Sequence, residues 1–498
     1  MDYLAGTIAG TLFRNEDNGY SVISVRANEG VITVTGNMPE IMDGEMVEME
    51  GAYVDHPQYG RQFKLSSLRI KQPETLSAIE KYLGSGLIKG VGPSTARLIV
   101  ATFGKDTLEI MGTQPERLTE VPKIGKVRMK RIAESFLEQQ ASRSTYIFLQ
   151  QYGVSPALAA KIHKAYREQA EALIRDNPYR LIDDIHGVGF LTADRIALSL
   201  GISEDSVFRL QAGIKYALSE ASGSGGHTCL PEEELIEKAA ALLNAPRAEI
   251  RRLMDDLTLN KHLFADVIDD TRFISLPGLR KAEMDVASRL LALCGTSQQF
   301  FPQHIKAAIT DFERSHGIRF SKTQRQAVST AAEHGFTVIT GGPGTGKTTL
   351  INCIIHVLGK GSKILLAAPT GRAAKRMSEA CGQDASTIHR LLQYGGEEGS
   401  FQVNQENPLD CDCLIVDEVS MMDVFLTRSL LLALQPGTRL ILVGDADQLP
   451  SVGPGNVLAD ILSMDNLPQV RLTEIFRQDE DSMIVVNAHR INQGQSPV

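Results

Sequence analysis

One stretch of eight residues constrains this chain more than any other: Gly341-Gly342-Pro343-Gly344-Thr345-Gly346-Lys347-Thr348. An apolar run of strand length, FTVIT, precedes it, and a longer apolar run, TLINCIIHVL, follows. The pattern predicts a buried strand, a glycine loop and a buried helix. Glycine lets backbone N–H groups approach a phosphate closely, and the helix N-terminus adds partial positive charge. In that setting the Lys347 ammonium neutralises β- and γ-phosphate oxygens, and the Thr348 hydroxyl is placed to hold Mg²⁺. Gly342, Pro343, Gly344, Thr345, Gly346, Lys347, Thr348 and Thr349 are therefore the candidate triphosphate-binding residues.

Three further apolar runs end in polar turns in the same half of the chain. CLIVDEVS ends in Asp417-Glu418, where Asp417 suits a contact to Mg²⁺ and Glu418 suits a base that polarises water. RLILVGDADQLP places Gln448 to sense the terminal phosphate. SKILLAAPT leads into Pro369-Thr370-Gly371-Arg372, a second helix N-terminus able to seat a phosphate. Taken singly, either of the last two segments reads as an ordinary strand-to-helix turn. Beside the phosphate loop they read as one site. Apolar strands alternating with helices from about residue 301 predict a parallel sheet buried on both faces, so the fold class expected here is α/β.

The first 300 residues are built differently. Residues 1–72 hold short β-branched runs such as SVISVRA, GVITVTGNM and MVEMEGAYV, separated by turn residues. These predict a small β barrel, for which the OB type is one option among several. Residues 73–200 repeat a helix, a glycine turn and a helix, at Ile88–Gly92, Val121–Gly125 and Ile185–Gly189, with a weaker copy at Tyr152–Ser155. Such hairpins offer backbone N–H groups to a DNA phosphate without reading bases. Gly90, Gly92, Lys123, Gly125 and Lys126 are the candidates for that contact, and the copy at 187–190 is a weaker one. The same repeat also fits a helical spacer. This stretch carries 17 Lys and Arg against 14 Asp and Glu. Residues 201–300 read as helices with a short β tail, either a winged-helix-like unit or a plain connector.

A net charge of -9 excludes a uniformly basic nucleic-acid coat, though local basic patches decide phosphate affinity. Cys229, Cys294, Cys353, Cys381, Cys411 and Cys413 form no metal-ligand spacing, which predicts reduced thiols and no structural metal. No run reaches the roughly 18 apolar residues a membrane helix needs. MDYLAGTIAG lacks the basic leader of a signal peptide, so a cytoplasmic protein with no membrane association is expected.

GGPGTGKTT, APTGRAAKR, STIHRLL, VDEVSMMD, GDADQLPSVGPG and LTEIFRQ occur in that order over residues 310–498. In this the chain resembles the RecD-type superfamily 1 DNA helicases, in the longer stand-alone bacterial form. The amino-terminal GNMPEIMDGEMVEMEGAYVDHPQYGRQF and the glycine hairpins are similar to that form too, so the resemblance covers nearly the whole chain. It implies a 5′→3′ DNA helicase or single-stranded DNA translocase of repair or recombination, using ATP and Mg²⁺. Gln324 matches the glutamine that reads the adenine edge. Lys347 and Thr348 match the phosphate and Mg²⁺ ligands, Asp417 and Glu418 the metal-binding acid and catalytic base, and Gln448 the γ-phosphate sensor. Arg477 matches an arginine that reaches the γ-phosphate from a second lobe. Pro369, Thr370, Arg372 and His389 fall in segments that resemble DNA-contacting ones. YGGEEGSFQVNQENPLD, about 393–410, lies where the family carries a duplex-splitting hairpin. The implied partners are single-stranded DNA, duplex junctions with a 5′ single-stranded end, and a single-stranded DNA-binding protein.

The organisation expected is a barrel to 72, tandem hairpins to 200, a helical unit to 300, a first ATPase lobe over 301–470, and the start of a second lobe over 471–498. Family members continue past LTEIFRQ, so this chain is expected to be part of a longer helicase that binds nucleotide but turns it over slowly alone. A conjugative relaxase-helicase is disfavoured because no H-x-H-like cluster appears. An ATP-sensing DNA-binding scaffold without motor activity is the reading from a different class.

Overall fold

The computed structural model describes the chain except at residues 1, 16–19, 28–29, 39–40, 42–44, 57–59, 72–75, 85–87, 186, 296–301, 360, 396–398, 475–482, 484–486, 488–489 and 492–493. It divides into two compact units, Met1–Ala212 and Gly213–Val498.

The first unit opens with five strands: β1 Asp2–Arg14, β2 Tyr20–Ala27, β3 Gly30–Asn37, β4 Met46–His56 and β5 Gly60–Lys71. They close in the order β1-β2-β3-β5-β4. All pairs are antiparallel except β3 with β5, joined in parallel at Val34↔Phe63. This closed five-stranded barrel selects the OB option from the small barrels the sequence allowed. Alternate residues face inward, as the pleat requires: Ile23 and Val25 on β2, and Val47 and Met49 on β4, are buried with Phe63 and Leu68.

Eight helices follow: α1 Leu76–Gly84, α2 Pro93–Phe103, α3 Thr107–Thr113, α4 Lys126–Gln151, α5 Pro156–Tyr166, α6 Ala170–Asp176, α7 Leu181–Asp184 and α8 Phe190–Ser199. The repeated turns are geometrically alike. Val91 N donates to Ile88 O at 2.9 Å, Ile124 N to Val121 O at 3.1 Å and Val188 N to Ile185 O at 3.1 Å. The position one residue before each of these donors is left-handed: Gly90 (φ 98°), Lys123 (φ 71°) and Gly187 (φ 88°), with Gly153 (φ 71°) in the weaker copy. Three copies place glycine where a side chain would be strained, and one places a lysine. Arg128 ties the first two hairpins together. Its guanidinium donates to Gly90 O (3.0 Å), Lys123 O (3.3 Å) and Thr95 Oγ1 (2.8 Å). Ile88, Val91, Ile99, Val121, Ile124 and Ile132 share one buried cluster beneath them.

The second unit begins within α9 (Val207–Gly225). Next come β6 Cys229–Pro231, α10 Glu232–Leu243, α11 Arg247–Leu259, β7 Phe264–Ile268 and β8 Thr271–Ser275. The strands form a small antiparallel sheet, β6-β8-β7. The two-residue turn Asp269-Asp270 has φ 47° and 59°, the twist that joins antiparallel strands tightly. This is a helix pair with a small β wing.

The remaining elements build the nucleotide lobe: α12 Pro277–Cys294, α13 Pro302–His316, α14 Lys322–Glu333, β9 Phe336–Gly341, α15 Lys347–Leu358, β10 Ile364–Ala368, α16 Gly371–Cys381, β11 Ala385–Thr387, α17 Ile388–Leu391, β12 Tyr394–Gly395, β13 Ser400–Phe401, β14 Cys413–Val416, α18 Val424–Leu432, β15 Arg439–Gly444, α19 Val457–Leu462 and β16 Gln469–Leu472. Six strands pair in parallel in the order β11-β10-β14-β15-β9-β16. The period of two sends alternate residues into two cores. Leu440, Leu442, Leu414 and Val416 join one core, with α12, α18 and α19. Ile441, Val443, Cys413 and Ile415 join the other, with α13, α14 and α15. A sheet covered on both faces explains why its strands read as unbroken apolar runs.

Two expected boundaries shift. α12 was placed by sequence in the helical unit ending at 300, yet Leu279, Ala282, Leu290 and Leu293 belong to the lobe's own core, and Arg428 Nε donates to Asp285 at 2.6 Å. Similarly, the expected break at 470 cuts β16, which pairs with β9 from Gln469↔Val338 to Leu472↔Gly341. In both cases apolar residues attach the segment to the sheet, a tertiary fact without a local signal.

Candidate active site

The site lies along the carboxyl edge of the parallel sheet, where loops leave the strands and backbone groups lie open. β9 ends at Gly341 and the loop turns at Gly344 and Gly346, both at φ 77°. Only glycine adopts that conformation readily, which is why the loop reads as it does. Thr345 is buried and its hydroxyl donates to Gly342 O at 2.8 Å, closing the loop on itself. Lys347 sits at the start of α15, with Nζ donating to the carbonyls of Gly341 and Gly342, the latter at 3.0 Å. Thr348 and Thr349 are exposed beside it.

The loop is braced from behind by α14. Ser321 and Gln324 form a capping box: Gln324 N donates to Ser321 Oγ (3.2 Å) and Ser321 N to Gln324 Oε1 (3.1 Å). The same carboxamide donates from Nε2 to Thr345 O at 3.0 Å. Gln324 is only 2% exposed. Its acceptor oxygen and one donor are thus engaged by protein. The geometry makes it a support of the phosphate loop.

β14 delivers the paired acids. Asp417 N donates to Ala367 O at 3.0 Å, extending the ladder with β10, and Asp417 Oδ1 accepts from Glu418 N at 2.8 Å. Glu418 is left-handed, at φ 56° and ψ 39°. For a residue with a Cβ that conformation costs about 1–2 kcal/mol, and such strain concentrates at functional sites. Burial raises the proton affinity of Asp417, with the Glu418 backbone amide and then Lys347 opposing. Burial and then the charge of Asp417 raise that of Glu418, with Lys347 and Arg376 opposing. The structure therefore brings Lys347, Asp417 and Glu418 within one electrostatic neighbourhood.

β15 leads into Asp445, a residue only 2% exposed, whose carboxylate accepts from Asp447 N (3.1 Å) and Gln448 Nε2 (3.4 Å). Ala446 N donates to Thr340 Oγ1 at 3.2 Å, so the loop carrying Gln448 is pinned to the strand that feeds the phosphate loop. Gln448 itself is exposed. Asp445, Thr340 and Arg376 were not singled out from sequence. For Arg376 a signal existed: it lies four residues after Arg372 on α16, hence on the same helix face. Thr370 caps α16, its Oγ1 accepting from Ala373 N at 3.3 Å, and Pro369 precedes it at the same edge. His389 lies on α17, exposed, at the outer edge of the sheet. Arg477 lies outside the described residues. Gly90, Gly92, Lys123, Gly125 and Lys126 sit on the first two hairpin turns of the other unit, where Lys123, Gly125 and Lys126 are exposed.

A glycine phosphate loop, a strand-end acid pair and a pinned glutamine on one parallel sheet define a P-loop ATPase lobe. Comparison with known proteins narrows the class. Residues 324–454 match the AAA domain model, residues 1–73 that of the ATP-dependent DNA helicase YrrC OB-fold domain, residues 84–136 the SAM-like helix-hairpin-helix tandem, and residues 138–229 the ATP-dependent RecD2 DNA helicase HHH domain. The chain is 32% identical to the ATP-dependent RecD2 DNA helicase of Deinococcus radiodurans across 99% of its own length and 70% of that protein. It is 34% identical to the RecBCD enzyme subunit RecD of Mycobacterium tuberculosis over 56% of this chain and 50% of that one. It is 40% identical to the ATP-dependent DNA helicase dda of Enterobacteria phage T4 over 28% and 34% respectively. The chain belongs to the RecD2-type ATP-dependent DNA helicases, a family of ATP-hydrolysing enzymes.

Proposed function

We propose that this chain couples ATP hydrolysis to 5′→3′ movement along single-stranded DNA, entering duplexes from a 5′ single-stranded end in repair or recombination. The observation that carries the reading is the joint placement of phosphate loop, acid pair and pinned Gln448 on one sheet edge, beside the capped N-terminus of α16. In this reading Lys347 and the loop N–H groups of Gly342 to Thr349 hold the triphosphate, and Gln324 keeps Thr345 in place. Glu418, its basicity raised by burial, accepts a proton from the attacking water. Gln448 reports the γ-phosphate, and Arg477 supplies a further cation to it.

Mg²⁺ fits the donor set. Thr348 and Asp417 offer hard oxygens of the kind a divalent cation takes. In this reading substrate phosphates and water would complete the ion's shell. The bound ion would neutralise charge on the β- and γ-phosphates.

Pro369, Thr370, Arg372 and His389 are assigned to the single strand, and Gly90, Gly92, Lys123, Gly125 and Lys126 to backbone phosphates of flanking DNA. A single-stranded DNA-binding protein is the partner this activity implies. A cytoplasmic bacterial setting accords with the family, and no described helix is long and apolar enough to cross a membrane. The test is ATP turnover with and without single-stranded DNA, for the chain and for Lys347→Ala. Stimulation by DNA that the variant abolishes supports the reading. Nucleotide binding with turnover indifferent to DNA favours the sensing scaffold instead.

A further inference from the structure

We propose that Glu313, a buried carboxylate on α13, is a positioning residue for the nucleotide site and acts on the phosphate loop through Gln324. The inference rests on the reading above that Gln324 keeps Thr345 in place. Glu313 lies in the last turn of α13 and is only 7% exposed. A carboxylate that loses its hydration must be held by the groups that bond to it. Its two oxygens accept from two different segments. Phe320 N donates to Oε1 at 2.7 Å, and Arg325 Nη2 donates to Oε2 at 2.7 Å. These donors flank the capping box, Phe320 one residue before Ser321 and Arg325 one residue after Gln324.

The main chain of the same residue holds the approach to α14. Ile318 N donates to Glu313 O at 3.0 Å, across Gly317 at φ 64°, which closes the end of α13. One residue thus fixes both the turn between the helices and the setting of the first turn of α14. That first turn aims Gln324 Nε2 at Thr345 O. Apolar contacts also join these helices: Phe312 stacks on Phe320 with centroids 6.0 Å apart, and Ile309, Val328 and Ile351 share their core. Such packing is non-directional. Two charge-assisted bonds fix direction as well as distance. A buried ion pair gives little net stability over an apolar pair of the same shape, so what Glu313 adds is direction. Its charge also reaches α15, the helix that leaves the phosphate loop. There burial, and then Glu313, raise the proton affinity of the Cys353 thiol. The carboxylate therefore stands among the three helices that frame the loop.

The test is a double-mutant cycle on the full chain, with Glu313→Gln, Gln324→Ala and the pair, read as calorimetric affinity for ADP and for GDP. Glutamine keeps an acceptor for Phe320 N but turns an amide donor toward Arg325. The expected result is that Glu313→Gln weakens both nucleotides by about fivefold, the scale on which changes within a contact network alter coupling. In the Gln324→Ala background the same substitution should cost nothing further, because the route to the loop is already cut. An equal loss in both backgrounds overturns the proposal, since Glu313 would then act by another path. A lowered melting temperature with unchanged affinity also overturns it and leaves Glu313 a purely structural residue. If Gln324→Ala weakens ADP alone, the underlying reading of Gln324 fails; if it weakens both nucleotides while Glu313→Gln is inert, only the present proposal fails. Should Glu313→Gln not fold, Arg325→Gln removes the same ion pair from a side chain that is 43% exposed, and the same outcomes decide.

Discussion

Gln324 Nε2 and the main-chain oxygen of Thr345 lie 3.0 Å apart, joining the first turn of α14 to the tip of the phosphate loop. The bond is buried, so its loss leaves an unsatisfied carbonyl at the place where the loop must hold its shape. A residue that supported the loop would matter for every nucleoside triphosphate. A residue that read adenine would matter for ATP alone.

Gln324→Ala is therefore expected to weaken ATP and GTP binding together, each by about tenfold, the effect of an unmade buried hydrogen bond. Titration calorimetry with both nucleotides decides the matter. A loss confined to ATP would favour the adenine-reading role.

Glu418→Gln should leave nucleotide binding close to native while lowering turnover by about 10²–10⁴-fold, the usual range for removing a positioned general base. Single-turnover hydrolysis against equilibrium binding separates the two effects. Comparable loss in both would mean that Glu418 is a binding residue.

The pH dependence follows from the direction of the shifts. Burial holds the proton affinity of Asp417 and Glu418 above their ordinary values. The folded chain thus binds protons more tightly than the unfolded chain at these positions. Their contribution to stability is greatest at low pH and is lost as pH rises through the raised folded values. Turnover should fall on acidification at a pH above the ordinary glutamate range. In the absence of nucleotide, Glu418→Gln should raise the melting temperature at neutral pH and lose that advantage as the medium becomes acidic. A variant less stable than the parent at neutral pH would contradict the raised proton affinity of Glu418.

Lys123 occupies the left-handed position that glycine fills in the other three hairpins. Lys123→Gly relieves a strain of about 1–2 kcal/mol but returns entropy to the unfolded chain, so net stability should change by less than about 1 kcal/mol. Affinity for duplex DNA should fall, and the salt slope should shrink by about one ion. Unchanged affinity and slope would show that the lysine touches no phosphate.

Much of the lobe was legible because its signals are local. Gly344 and Gly346 announce a backbone that only glycine tolerates, and Asp417-Glu418 ends a strand whose apolar run marks it as buried. The hairpin repeat was legible for the same reason, since Gly90, Gly153 and Gly187 mark one turn conformation. Lys123 shows the limit, because its left-handed geometry carries no sequence mark.

The order of the motifs, the chemistry of the phosphate loop and the alternation of apolar strands with helices were determined by sequence alone. Each depends on backbone conformation or on residues adjacent in the chain. Tertiary structure decided that the barrel closes through a parallel pair at Val34 and Phe63, and that α12 and β16 belong to the ATPase lobe. It also decided that Gln324 faces Thr345 rather than solvent. These depend on which apolar faces meet and which buried polar groups must find partners. Such pairings join residues far apart in the chain, so no periodicity or spacing announces them.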